Sequence, residues 1–188
     1  MESLPESAFD VFIHPGEWFF GDADTRIRTV LGSCVAIVLW HPQQRIGGMC
    51  HYMLPGRGQP RPAGAPLDGR YADEAIDLLC SEIHKAHTRV QDYQVKLFGG
   101  GNMFLSCEKP IATAGPDVPR RNVSIARELL QEHGFKTIAA EHVGGGGHRN
   151  VVFDVWSGDV WMRHNPAKCN KCGEIPASCP YKHQTLQA

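Results

Sequence analysis

The run Val35-Ala36-Ile37-Val38-Leu39-Trp40 is continuously apolar and rich in β-branched residues. A run of this length and type reads as a buried β-strand. His41-Pro42-Gln43-Gln44 follows as a turn, and Ile46 to Leu54 as the returning strand. Gly47-Gly48 in that second strand marks a bulge or a close backbone approach. The chain is therefore expected to be built around a buried hairpin.

The flanking segments alternate between strand and helix patterns. Val11 to Ile13 and Ile27 to Leu31 are short strand candidates before the hairpin. Gly56 to Arg70 is a Gly- and Pro-rich loop that can hold little regular structure. From Tyr71 to His87 the apolar residues Ala72, Ala75, Ile76, Leu79, Cys80 and Ile83 fall on one helical face. Val95 to Phe98 is a strand running into Gly99-Gly100-Gly101-Asn102. A second helix is expected from about Val123 to His133, with Asn122 as N-cap and Gly134 as its stop. Lys136 to Glu141 is a further strand, and Val151–Val155 with Val160–Arg163 a hairpin turning at Ser157-Gly158. Strands interleaved with two helices predict an α+β (α/β) fold of mixed sheets with helical cover. At 188 residues there is room for one domain, taken as 1–163, and a short Cys-rich tail, 164–188.

Charge and hydropathy exclude several function classes. Nineteen basic residues oppose 20 acidic ones, and they are scattered, so no basic stripe for nucleic acid is expected. The longest strongly apolar run is far short of the roughly 20 residues a membrane helix needs. The start Met1-Glu2-Ser3-Leu4-Pro5-Glu6 lacks the basic and apolar regions of a signal peptide. A soluble, cytoplasmic protein is expected. Seven cysteines are then free thiols, metal ligands or a nucleophile rather than a disulfide framework.

Cys34 follows Gly32-Ser33 at the mouth of the apolar strand, and His51 lies in the returning strand. If the turn is residues 41 to 44, Trp40 faces Arg45 and Cys34 falls directly opposite His51. Cross-strand partners have Cβ atoms about 4.5–5.5 Å apart, within reach of a thiol–imidazole pair. A slip of one residue would separate them to opposite faces. A neighbouring imidazolium would favour the thiolate, which attacks a carbonyl carbon while the histidine moves protons. Backbone N–H groups near Cys34 could stabilise the oxyanion. The plain alternative is a small apolar thiol packed in a core.

Several ordered segments carry a family resemblance. They are Leu31-Gly32-Ser33-Cys34-Val35-Ala36, Gly47-Gly48-Met49-Cys50-His51-Tyr52-Met53-Leu54-Pro55 and Tyr71-Ala72-Asp73. Phe98-Gly99-Gly100-Gly101-Asn102-Met103-Phe104, Arg121-Asn122 and the Gly144–Gly147 stretch before Val151-Val152-Phe153 continue the series. Over about residues 11 to 163 the chain resembles the chemoreceptor glutamine deamidase family (CheD). The resemblance implies a cysteine-hydrolase arrangement of layered helices and sheets, α/β/β/α-like, shared with glutamine-deamidating toxins (CheD/CNF-like). It implies Cys34 as nucleophile, His51 as general acid/base and a catalytic threonine shortly before the cysteine. Thr29 is the nearest match, with Arg28 in the same window. Cys50 stands where the family often has a polar residue, a change that would tune the pocket. The implied reaction converts glutamine side chains of a chemoreceptor cytoplasmic domain to glutamate with release of ammonia. The implied partners are that receptor and, for some members, a CheC-type phosphatase. No cofactor is implied for catalysis.

Other functions compete. The alternative from a different class is a binding module that regulates such a phosphatase without catalysis, for which Cys34 and His51 would be superfluous. A metal-dependent hydrolase lacks an HExxH or similar spacing, and a cysteine protease would cut the main chain. The glycine segments lack the phosphate-loop patterns and are expected to pack closely near the active face. His148 and Arg149 are expected in a solvated loop. In the tail, Cys169-x2-Cys172-x6-Cys179 is a partial metal pattern. These three cysteines are candidate ligands for a structural zinc, with His164 or His183 as the fourth.

Overall fold

The computed structural model describes residues 8–103, 117–168 and 185–187. Two five-stranded mixed sheets stack face to face, and two helices cover one of them. The first sheet has the order β1 (Phe9–Phe12), β3 (Thr25–Leu31), β8 (His148–Asp154), β9 (Val160–Asn165), β10 (Thr185–Gln187). The second has the order β2 (Trp18–Gly21), β5 (Ile46–Tyr52), β4 (Val35–His41), β6 (Gln94–Gly99), β7 (Ile138–Val143). The β1–β3 and β6–β7 pairs are parallel and the rest antiparallel. This is the expected α+β class. Helices α1 (Ala72–Lys85) and α2 (Val118–Glu132) both lie on the second sheet. Among the described residues the layers are therefore helix, sheet, sheet. The second helical layer implied by the resemblance does not occur there.

Strand β4 explains the layering. Its Val35, Ile37 and Leu39 join Ile76, Leu79 and Ile83 of α1 and Val123, Ala126 and Leu129 of α2 in one apolar core. The intervening Ala36 and Val38 join Met49, Ile27, Leu31 and Phe153 between the sheets. A strand whose successive side chains enter opposite cores has to be apolar throughout. The continuous run Val35–Trp40 meets that requirement.

The hairpin register differs from the expectation. His41 pairs with Ile46 and Ala36 with His51, so the loop is 42–45, not 41–44. It closes through Arg45 at φ 51°, a left-handed conformation that non-glycine residues rarely adopt. No bulge interrupts the β4–β5 ladder. Gly47 and Gly48 serve close approach instead, since a Cβ on Gly48 would lie 2.6 Å from the Phe19 carbonyl oxygen of β2. The boundary drawn at 163 falls inside β9, and residues 185–187 pair back onto it as β10.

Helix α2 begins five residues earlier than expected. Asp117 is its N-cap and accepts from the Arg120 N–H at 3.2 Å, and a proline occupies the first turn. Asn122 lies inside the helix and is fully buried. The loop between β5 and α1 is pinned by Arg57, whose guanidinium pairs with Glu74 on α1.

Gly99 ends β6 at φ 118°, and an added Cβ would collide with the Cys34 carbonyl oxygen. Gly99→Ala is expected to cost about 2–4 kcal/mol, from a glycine-specific backbone conformation plus overpacking. Urea unfolding followed by circular dichroism checks this. An unchanged midpoint would contradict the close approach.

Candidate active site

Alternation along three strands assembles the site. Thr29 in β3 belongs to an inward set with Thr25, Ile27 and Leu31, whereas Arg28 and Val30 face out. Of the two residues in the window, Thr29 therefore enters the inter-sheet space. His51 shares with Met49 the inter-sheet face of β5, whereas Cys50 and Tyr52 join the helix-side core. Cys34 precedes β4 by one residue, has the parity of Ala36 and packs against the inter-sheet core. The corrected register makes it diagonal to His51 rather than directly opposite. The error is two residues, so the shared face is kept. Diagonal neighbours lie about 7–8 Å apart at Cα, within reach of long side chains.

Thr29 and His51 are nearly solvent-inaccessible, while Cys34 is half-buried. The Thr29 hydroxyl lies 2.8 Å from the Ile13 carbonyl and 2.7 Å from His51 Nδ1. The hydroxyl has one hydrogen. Donated to Ile13, it leaves the oxygen to accept from Nδ1–H, which assigns the tautomer with a lone pair on Nε2. Nε2 is buried and makes no hydrogen bond among the described residues. It is thus the nitrogen left for a proton transfer. No hydrogen bond joins it to Cys34 here, and catalytic contacts often tighten only with substrate bound.

Burial lowers the His51 pKa to about 4, against small opposing contributions from the Ile13 carbonyl and Glu17. Burial raises the Cys34 thiol above its usual value, partly offset by hydrogen bonds from Ser33 and from its own backbone. The expected thiolate–imidazolium pair is therefore replaced by a neutral thiol beside a neutral base. Such a pair forms its thiolate during attack, as the imidazole takes the proton.

Residue type alone does not mark the site. Cys80 Sγ lies 3.6 Å from His133 Nδ1, and His133 Nε2 lies 3.6 Å from Asp77. That thiol is buried and pushed up to about 11 by desolvation and Asp77. Cys50, expected to tune the pocket, is buried on the opposite face from His51 and pushed up to about 12. Of these three described cysteines, Cys34 alone reaches the surface. The metal-ligand candidates Cys169, Cys172, Cys179 and His183 lie outside the described residues. His164 is buried, with Nε2 2.9 Å from the Gly146 carbonyl.

The glycine segments brace the loop that carries Cys34, as their expected close packing requires. Gly101 and Gly100 donate backbone N–H groups to the Gly32 and Cys34 carbonyls at 2.7 and 2.8 Å. Asn102 and Gly144 to Gly147 are cross-linked in turn, with Asn102 N–H to Gly145 O and Gly147 N–H to Asn102 O. Arg149, expected in a solvated loop, is fully buried. Its Nε donates to His142 at 2.8 Å and its guanidinium reaches the Gly144 carbonyl. Sequence reasoning did not single out Ser33 or assign Asn122 to the site. The latter resembles a helix cap until its burial is known.

The family model described as CheD chemotactic sensory transduction matches residues 53–164. The chain belongs to the CheD family. It is 49% identical over 162 residues to the probable chemoreceptor glutamine deamidase CheD 3 of Dechloromonas aromatica, covering 86% of this chain and 91% of that protein. It is 50% identical over 155 residues to the probable chemoreceptor glutamine deamidase CheD 1 of Chromobacterium violaceum, covering 82% and 77%. The corresponding Pseudomonas fluorescens protein is 46% identical over 162 residues, covering 86% and 88%. A match that long in a chain of 188 residues must take in Thr29, Cys34 and His51. Among solved structures the chain is similar to YlmD from Geobacillus stearothermophilus, with TM-score 0.42 and 15% identity over 75% of this chain and 61% of that one. No helix among the described residues is long and apolar enough to cross a membrane.

His51 and His142 are both buried and both held at about 4. Between pH 6.5 and 4 the unfolded chain binds protons at these sites and the folded chain does not. Stability is therefore expected to fall as pH drops through that window, by on the order of 3 kcal/mol per histidine. Urea midpoints at pH 7 and 4.5 check this, and the drop should shrink in His51→Asn. Equal drops in both proteins would refute the shift at His51.

Proposed function

We propose that the chain deamidates specific glutamine side chains of chemoreceptors to glutamate, acting in the cytoplasm on the receptor's cytoplasmic domain. The observation that carries the reading is the placement of Cys34, His51 and Thr29 on one inter-sheet face, with Cys34 half-buried and the His51 imidazole buried. The names of the relatives supply the substrate class.

In this reading Cys34 Sγ attacks the side-chain amide carbon while His51 Nε2 takes the thiol proton. Carbon–sulfur bond formation gives a tetrahedral oxyanion, held by backbone N–H groups of the Ser33–Cys34 loop. His51 passes its proton to the amide nitrogen, the carbon–nitrogen bond breaks and ammonia leaves. Water then attacks the thioester as His51 takes its proton. Collapse releases glutamate and returns the proton to Cys34. Thr29 holds the His51 ring and tautomer throughout. Thiol, imidazole and hydroxyl suffice for these steps, so no cofactor is invoked.

A CheC-type phosphatase as docking partner and a zinc in the tail are separate proposals. For the metal, Cys169, Cys172 and Cys179 would be completed by His183, since His164 is already engaged with Gly146. Metal analysis of reduced, unchelated protein is expected to give stoichiometric zinc, abolished in Cys169→Ser. Its absence would end the zinc reading.

Peptide-level mass spectrometry of receptor cytoplasmic domain tests the function. Site-specific Gln-to-Glu conversion is expected with the wild type and none with Cys34→Ala. His51→Ala should lose at least about a thousandfold and Thr29→Ala about ten- to a hundredfold. The acid limb of kcat/KM should fall well below pH 6.5, since the neutral imidazole is the active form. Conversion surviving in Cys34→Ala would overturn the mechanism. No conversion by wild type with several receptors would favour the binding module.

A further inference from the structure

Asn122 sits in the fifth position of α2, fully buried. Its Nδ2 donates to two carbonyl oxygens from different elements, Met53 at 2.8 Å and Ser33 at 3.2 Å. Met53 lies two residues beyond His51, and Ser33 immediately precedes Cys34. The buried Tyr52 hydroxyl donates to the Asn122 backbone carbonyl at 2.6 Å. One helix residue thus ties together the two chain segments that carry the reacting pair.

The chemistry suits asparagine. A single nitrogen with two hydrogens serves two acceptors, and the flipped amide would set oxygen against both carbonyls. Aspartate has no donor there, and glutamine is a methylene too long. Stability alone does not call for the residue. Asparagine is a poor helix former, and its Oδ1 is buried without a hydrogen-bond partner among the described residues, which leaves its desolvation uncompensated.

The Ser33 bond also orients a donor. In a trans peptide the carbonyl and the following N–H point in opposite directions. Asn122 on the Ser33 carbonyl therefore turns the Cys34 N–H away from α2. Gly101 on the Gly32 carbonyl does the same for the Ser33 N–H.

We propose that Asn122 is a positioning residue of the deamidase. It sets the nucleophile loop against the end of the His51 strand and aims the Cys34 N–H at the developing oxyanion. This rests on the deamidase reading given above.

The test compares Asn122→Asp, Asn122→Ala and the milder Asn122→Gln with Tyr52→Phe, which loses a tie to α2 but keeps the amide clamp. Each is assayed below its own melting temperature. For the Asn122 variants kcat is expected to fall on the order of a hundredfold with KM within about threefold, the signature of misplaced reacting groups. Tyr52→Phe should lower the melting temperature and keep kcat within about threefold. A readout independent of receptor is the pH profile of Cys34 alkylation by iodoacetamide, followed at the peptide level. That profile should shift in the Asn122 variants and not in Tyr52→Phe. A folded Asn122 variant with near-wild-type kcat and an unshifted profile would overturn the proposal. So would losses matched by Tyr52→Phe. If wild type fails to deamidate, the activity reading falls, and the alkylation profile still decides the positioning claim.

Discussion

The hydrogen bond between Thr29 and His51 joins the two sheets at the candidate active site. Thr29 comes from β3 and His51 from β5. The bond can form because both strands turn alternate residues into the same narrow layer, among Ile27, Leu31, Ala36, Val38 and Met49. That layer strips water from the imidazole, which holds its pKa near 4. The same bond selects the tautomer. Packing between the sheets therefore sets the protonation state, ring orientation and free nitrogen of the base together.

The proposed nucleophile, Cys34, has a different environment, which the chain supplies by position rather than by composition. Cys34 lies where the chain enters β4, so its parity is that of the inter-sheet residues while the residue stays half-buried. A loop at such a point would ordinarily be loose. Here the carbonyls of Gly32, Ser33 and Cys34 are each fastened from behind, by Gly101, Asn122 and Gly100. The close backbone contacts explain the run of glycines after β6, since a side chain at Gly99 would occupy the space of the loop it braces and one at Gly101 that of the Gly147 carbonyl and the Arg149 guanidinium.

Much of this is legible in the amino-acid pattern, because the unbroken apolar run of β4, the period-3.6 face of α1 and the turn of the β8–β9 hairpin are strong signals. The failures have local causes. The hairpin loop was misplaced because Arg45 adopts a left-handed backbone that nothing in its residue type announces. The face shared by Cys34 and His51 is kept because the slip is even. Strand β2 was missed, since Trp18–Gly21 is short, half-buried at every position and shows no alternation. Asn122 imitates a helix cap, and Asp117 with the following proline is the true one. Thr29 was singled out through resemblance, yet the alternation Thr25, Ile27, Thr29, Leu31 separates it from Arg28 without one. Arg149 defied the pattern most. Its neighbours are glycines and its charge suggests solvent, but the space under the two glycine loops accommodates its guanidinium.

The contact of Cys80, His133 and Asp77 shows why placement rather than inventory decides function. It contains a thiol, an imidazole and a carboxylate in sequence, the residue types of a triad. Its thiol is buried at the helix-side core and carries a neighbouring carboxylate that disfavours the thiolate. Its imidazole is more exposed than its thiol. The candidate site at Cys34 inverts the burial of the pair, with the His51 imidazole buried and Cys34 half-buried. A nucleophile has to meet its substrate, whereas a base works best dry, oriented and uncharged. The junction of β3 and β4 beside Gly32, where the chain passes from one sheet to the other, can satisfy both conditions, and the helix face beneath Cys80 satisfies neither.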